Sequence, residues 1–258
     1  MIDLHSHVLP GIDDGPADMA GSIELARAAE RDGVHTLAAT PHLRADHPGV
    51  RLRELAGRCE DLNARLSEAS VGLRVVAGGE VDALWAQAAS DEELRVASFG
   101  QRGGDLLLET PYGPLPDGFE DLLFRLGLRG FRVLFAHLER NPTLQREPAR
   151  LAEMVGRGAL VQVTALSLAR ADRGSRSRRL ALELVERGHA HVIASDSHSA
   201  EWRAPDLSAG VAAAAKVAPA RARWMVTDAP AAILAGDPLP DPPAERGRRG
   251  ARFLRRRA

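Results

Sequence analysis

The chain has 258 residues, with 34 basic and 35 acidic side chains for a formal net charge of −1, and a single cysteine, Cys59. That length admits one large α/β barrel or two small domains; the charge balance argues against a specific nucleic-acid binder held by phosphate neutralisation, and one thiol excludes an internal disulfide. No apolar run of about 18 residues suggests a membrane span, and the opening Met1-Ile2-Asp3-Leu4-His5-Ser6-His7 lacks the basic and apolar regions of an export signal, so a cytoplasmic protein is expected.

Along the chain, short apolar runs alternate with longer amphipathic stretches, the pattern of repeated βα units around a parallel sheet. A strand over residues 2–5 is followed by a helix over 17–31, a strand over 35–40 and a helix over 51–69. Strands then fall at 73–77, 105–109, 132–137, 159–163 and 191–195, with helices at 119–126, 148–157, 176–187 and 208–216. No low-complexity linker divides residues 1–235, which favours one barrel domain over two; a doubly wound sheet is the alternative. Residues 236–258 are Pro-rich and then Arg-rich, a composition expected to form a disordered tail. Its arginines, Arg246, Arg248, Arg249, Arg252 and Arg255 to Arg257, either solubilise the chain or touch an anionic surface.

The chemistry-bearing residues cluster at the carboxyl ends of the expected strands. His5 and His7 close the first, His42 follows the second, Glu80 the third, Glu109 the fourth and His137 the fifth, while Asp196 and His198 follow the seventh. In a closed parallel barrel those ends meet on one face, where active sites are built. Singly, each residue has an ordinary explanation, such as a core histidine, a rim carboxylate or a helix cap. Together, five imidazoles and several carboxylates on one face are costly unless cations organise them. Alternate residues of a strand share a face, so His5-x-His7 makes a two-point grip, and Asp196-x-His198 repeats it. The nitrogen and oxygen donor set, without thiolate, suits Mn, Fe or Zn. It exceeds one coordination sphere, which implies two or three ions sharing a bridging carboxylate and a hydrolytic site.

Several ordered segments carry a family resemblance: Asp3-Leu4-His5-Ser6-His7, Asp13-Asp14-Gly15-Pro16, Thr40-Pro41-His42, Gly79-Glu80, His137-Leu138-Glu139-Arg140 and Ser195-Asp196-Ser197-His198. They resemble the polymerase-and-histidinol-phosphatase (PHP) superfamily and, within it, bacterial capsule-type tyrosine phosphatases of the CpsB/CapC/YwqE kind. The resemblance implies a distorted TIM-like (β/α)7 barrel over residues 1–235, holding a centre of two to three ions, usually Mn2+. It implies hydrolysis of protein phosphotyrosine by a metal-activated hydroxide, with a bacterial tyrosine kinase as a partner and a place in exopolysaccharide regulation. By motif it assigns the ligands His5, His7, Asp14, His42, Glu80, Glu109, His137, Asp196 and His198, with Glu80 as the bridge, and Asp14 enters on this ground alone. The phosphate-gripping arginines map to Arg140 and Arg203, and His42, Asp14 and His198 are the candidates for assisting the leaving group. The loops 110–114 and 45–49 depart from the family pattern where substrate choice is made.

Cys59 and Arg65 formally fit the Cys-x5-Arg pattern of thiol-dependent tyrosine phosphatases. Glu60 and Asp61 would repel phosphate, and the segment sits inside a helical pattern with no glycines to turn backbone amides onto an anion, so a packing role is expected for Cys59. Three functions stay open: a phosphotyrosine-protein phosphatase, a small-molecule phosphoesterase such as a histidinol-phosphate phosphatase, and a non-catalytic module. The last is disfavoured because all nine ligand positions hold coordinating side chains.

Overall fold

A computed structural model describes residues 1–111, 113–169 and 175–245. The expected alternation of apolar and amphipathic stretches folds as parallel strands with helices between them. β1 (Ile2–Ser6), β2 (Thr36–Ala39) and β4 (Arg74–Ala77) form a three-stranded sheet in the order β1-β2-β4. β3 (His42–Leu43), β5 (Glu80–Asp82), β6 (Asp105–Glu109), β7 (Arg132–Phe135), β8 (Leu160–Thr164) and β9 (Val192–Ala194) form a six-stranded sheet in chain order. All of these pairings are parallel. β1, β6 and β8 are buried along their whole length, as strands covered on both faces must be; Leu106 to Leu108 of β6 form an apolar run, whereas β1 also buries Asp3, His5 and Ser6, and β8 buries Gln162 and Thr164.

The two sheets part at matching places. Thr40-Pro41 separates β2 from β3, and Gly78-Gly79 separates β4 from β5. Proline has no N–H to give the ladder, and a Cβ on Gly79 would lie 2.5 Å from Leu43 Cδ1; the pairing nevertheless keeps its register across the break, with Ala39 opposite Ala77 and His42 opposite Glu80. The second pieces are the ones that carry chemistry, with His42 and Glu80 as direct register partners. At the other side, the His7 N–H donates to the Ser197 carbonyl and the Asp196 N–H to the His5 carbonyl, both at 2.9 Å, around a Ser6–Ser197 bridge between the ends of β1 and β9.

The helices α1 (Met19–Arg31), α2 (Leu55–Glu68), α5 (Phe119–Leu128), α6 (Pro148–Gly156), α8 (Arg176–Arg187) and α9 (Leu207–Ala214) occupy the six expected stretches. Each buries an apolar stripe, such as Leu25, Ala26 and Ala29 of α1. Helices α3 (Ala83–Ala88), α4 (Asp91–Ala97), α7 (Ala165–Ala169), α10 (Pro219–Trp224) and α11 (Asp228–Ala235) had no expectation. They span five to eight residues, too few turns for a 3.6-residue period to declare itself. After Gly236 the described chain runs without regular structure to Glu245; Leu239 packs on the core, and Glu245 accepts hydrogen bonds from the N–H groups of Ala220 and Arg221. The basic run of the expected tail, residues 246–258, lies outside the described residues. Among the described residues, no helix is long and apolar enough to cross a membrane.

Helices α7 and α9 approach through a glycine: a Cβ on Gly210 would lie 2.6 Å from both Cα and Cβ of Ala165. In an exposed helix Gly→Ala gains up to about 1 kcal/mol. Here the sign reverses, and Gly210→Ala is expected to destabilise the protein by about 1–3 kcal/mol through overpacking, read as a lower midpoint in urea unfolding.

Candidate metal centre

All nine expected donors come together at the carboxyl ends of the strands. They form four overlapping groups whose ligand atoms lie within 4.8 Å of one another: His7, Asp14, His42 and His198; His5, His137 and Asp196; His5, His7 and Glu80; and His42, Glu80 and Glu109. Glu80 is at the middle. Its Oε2 lies 3.0 Å from His42 Nδ1, 3.3 Å from His5 Nε2 and 3.5 Å from His7 Nε2, and its Oε1 lies 2.8 Å from His137 Nε2. Asp196 Oδ1 lies 3.4 Å from His5 Nε2 and 3.6 Å from His7 Nε2, while Asp14 lies 3.2 Å from His198 Nε2. Of the nine, Asp14 alone has an exposed side chain, at 44%; it faces the mouth of a cavity of about 120 Å3 that Glu80, Glu109, Arg140 and Arg203 also line.

This donor set fits divalent cations. His5 Nε2, His7 Nε2, His42 Nδ1, Glu80 Oε2 and Asp196 Oδ1 are buried without a hydrogen-bond partner, all directed at one another, and buried polar atoms in such numbers need an ion or a proton to reconcile them. Burial pushes the Glu80 carboxyl up, but His5, His137 and His42 outweigh it and hold Glu80 well below the ordinary glutamate range. Asp196, against the same burial, is pulled well down by His5, His7, His137 and Arg140. Burial lowers His7, yet Asp13, Asp196 and Glu80 raise it well above the ordinary histidine value. Without a cation, then, the ionised carboxylates favour the protonated forms of His5 and His7; a metal takes the place of those protons.

Hydrogen bonds on the outer side of the rings select the tautomers a metal needs. His5 Nδ1–H donates to Gln162 Oε1 at 3.1 Å, His7 Nδ1–H to Asp13 Oδ2 at 2.7 Å and His198 Nδ1–H to the Asp196 carbonyl at 3.0 Å. In each case Nε2 is left as a lone pair aimed inward. Asp13 and Gln162 were not foreseen as contributors. Asp13 also accepts from the backbone N–H groups of Gly15 and His42, and Gln162 from that of His137. For Asp13 a signal existed in its place beside Asp14; Gln162 sits mid-strand in an apolar run and carried none. Arg44, also unforeseen, donates to Glu109 Oε2 at 3.1 Å.

The local backbone is shaped to the same end. Five non-glycine residues have positive φ among the described residues, and three belong to this site: His137 (34°), Asp196 (56°) and Arg203 (50°). That conformation costs roughly 1–2 kcal/mol per residue, and such strain gathers where side-chain placement outranks backbone comfort. Gly15 is needed because a Cβ there would lie 1.9 Å from the His7 carbonyl oxygen; only glycine lets the Asp13-Asp14 turn close over β1.

Both expected arginines reach the centre. Arg140, in the short turn Leu138–Arg140, places Nη1 2.7 Å from Asp196 Oδ2 and donates through Nη2 to Thr164 Oγ1 at 3.3 Å. Arg203 pairs with the same Asp196 oxygen and lies 2.9 Å from His198 Nε2 through Nη1. Of the loops singled out, Thr110 and Pro111 line the cavity, and Tyr112 lies outside the described residues. Cys59 is buried inside α2, where burial and then Glu60 push its thiol up to about 12, far from any use as a thiolate.

The family described as "Capsular polysaccharide synthesis, CpsB/CapC" matches residues 1–235. The tyrosine-protein phosphatase YwqE of Bacillus subtilis (strain 168) is 36% identical over 206 residues, 79% of each chain. CapC of Staphylococcus aureus is 30% identical over 202 residues, 77% of each chain. A crystal structure from work on YwqE of Bacillus subtilis and CpsB of Streptococcus pneumoniae, there called metal-dependent tyrosine phosphatases, superposes with a TM-score of 0.82 and 31% identity, covering 95% of this chain and 100% of that one.

Purified protein is expected to carry about two to three equivalents of divalent metal per chain. Glu80→Ala should remove more than one equivalent by elemental analysis, and Gly15→Ala should lower the content by displacing His7 and Asp14. A fully loaded Glu80→Ala protein would refute the central position of Glu80.

Proposed function

The chain belongs to the CpsB/CapC family of capsular polysaccharide synthesis, and on that premise we propose that it is a cytoplasmic, metal-dependent phosphatase of protein phosphotyrosine, acting on a tyrosine kinase or its targets in exopolysaccharide regulation. The observation that carries this is the clustering of nine nitrogen and oxygen donors, six of which line one cavity together with the two guanidinium groups. We read the two sheets as parts of one distorted (β/α)7 barrel. The nine donors are assigned as ligands of two or three ions, with Mn2+ as the ion and Fe or Zn compatible with the same donors.

Bound divalent cations supply charge neutralisation of the phosphate and activation of the attacking water. The chain's own residues do the rest. Arg140 and Arg203 stand at the cavity wall with planar guanidinium groups suited to grip two phosphate oxygens each. In this structure both lean on Asp196, and a phosphate dianion between them offers a second acceptor on the open side. Their hold strengthens as charge builds on the transferring group, so it acts on turnover and not only on affinity. Burial would raise Asp14, but His198, His7 and His42 hold it below the ordinary aspartate range, which suits a ligand or proton acceptor better than a strong acid. A site without a strong general acid favours leaving groups that depart as stable anions, and phenolate, with a parent pKa near 10, departs far more readily than a serine alkoxide.

Chelation is expected to abolish phosphotyrosine hydrolysis and added Mn2+ to restore it, while Cys59→Ser keeps near-normal rates; a folded but inactive Cys59→Ser protein would overturn the metal-based chemistry. Arg140→Ala should lower kcat about 100-fold or more with little change in metal content. In side-by-side kcat/KM measurements on phosphotyrosine peptide, phosphoserine peptide and histidinol phosphate, the phosphotyrosine peptide should rank first. A higher value for histidinol phosphate would replace the reading with a small-molecule phosphoesterase.

A further inference from the structure

Beyond Arg140 and Arg203 lies a second cavity, of about 500 Å3, whose wall these two arginines share with Arg178, Ser167, Ser175 and Ser177. Among the described residues, no carboxylate lines it. Arg140 and Arg203 are engaged with Asp196 on the metal side, but Arg178 makes no ion pair among the described residues, and its buried Nε has no hydrogen-bond partner. Arg178 is held in place: it sits in the first turn of α8, where its backbone N–H faces Ser175 Oγ. Gln145 Nε2 donates to Ser177 Oγ at 3.1 Å and to the Glu139 carbonyl at 2.8 Å. That bond pair fastens the start of α8 to the turn carrying Arg140, so the backbone positions of Arg140 and Arg178 are tied together. The amino end of α8 adds partial positive charge to the same cavity.

We propose that Arg178 is a specificity-determining residue: the second cavity receives an anionic side chain, a carboxylate or a second phosphate, that flanks the phosphotyrosine on the same peptide. This rests on the phosphotyrosine reading above. Three guanidinium groups with hydroxyls, and no opposing carboxylate among the described residues, make a site that favours an oxyanion. Because the two cavities share Arg140 and Arg203, an anion in one is a neighbour of the phosphate in the other. An extended peptide advances about 3.3 Å per residue, so side chains within three positions of the phosphotyrosine sample the second cavity.

The test uses the Mn-loaded full chain and phosphotyrosine peptides that differ only in carrying glutamine, glutamate or phosphoserine at each of the three positions on either side. At one or more positions glutamate should raise kcat/KM about fivefold over glutamine, chiefly through KM. Phosphoserine should raise it further, and both gains should shrink with added salt. Arg178→Gln should bring the glutamate-to-glutamine ratio to within about twofold of one, and Arg178→Lys, which keeps the charge, should retain part of the preference, with circular dichroism melting checked for both. Equal turnover of glutamate and glutamine peptides by the native chain at every position would overturn the inference while leaving the phosphatase reading intact. A preference that survives in Arg178→Gln would overturn the role of Arg178. Hydrolysis of histidinol phosphate with no turnover of any peptide would remove the underlying reading and this inference with it.

Discussion

Charge buried at the carboxyl ends of the strands has to be answered by neighbouring charge, and in this protein that demand converges on Glu80. Its carboxylate is fully buried and faces four imidazoles, those of His5, His7, His42 and His137. An uncompensated carboxylate there would be prohibitively costly. Two of these imidazoles, His5 and His7, are oriented by outer partners, Gln162 and Asp13, which in turn accept from backbone groups of His137, Gly15 and His42. The site is thus a set of nested compensations, and a loss at any level leaves a buried polar group stranded.

That requirement also explains features that look unfavourable when considered alone. The breaks at Thr40-Pro41 and Gly78-Gly79 interrupt regular strand structure, yet the Thr40 N–H still donates to the Ser6 carbonyl and the Glu80 N–H to the Pro41 carbonyl, and the short strands β3 and β5 hold His42 and Glu80 in register. The left-handed backbone at His137, Asp196 and Arg203 is tolerated where the chain must turn sharply enough to present imidazole, carboxylate and guanidinium to one centre. A second carboxylate, Asp3, is buried beneath the site, where its Oδ1 accepts from the N–H groups of Ser195 and His5. It joins β1 to the segment that carries Asp196. Burial pushes its carboxyl up to about 6, against the pull of those bonds.

The two arginines occupy a boundary between chemistry and recognition. On one side they contact Asp196, a member of the donor set; on the other they wall a cavity that, among the described residues, has no carboxylate. On the reading proposed above, groups placed this way contact both the phosphate and whatever stands beside it, because a guanidinium presents donors in several directions within one plane. On a further side, Asn141, one residue after Arg140, donates through Nδ2 to Thr110 Oγ1 and to the carbonyls of Pro111 and Gly113.

Much of this was legible in the chain itself. Period and composition were enough for the long helices and the fully buried strands, since a strand covered on both faces is a near-continuous apolar run and a long helix repeats its stripe several times. The donors were legible for a related reason: histidines and acids placed just after apolar runs have few structural uses, so their pattern carried information even across almost the whole chain. Asp14 was the exception, since it lies in a loop with no strand to index it and came only from its motif. The tertiary structure decided the rest. That Arg203 reaches Asp196, that Gln162 orients His5, that β2 and β4 break in step and that Arg178 faces the wall of Arg140 are relations between segments distant in sequence. Local sequence encodes which face of an element is apolar, but not which polar atom of another element will meet it; that is fixed only when packing brings the two within hydrogen-bond distance.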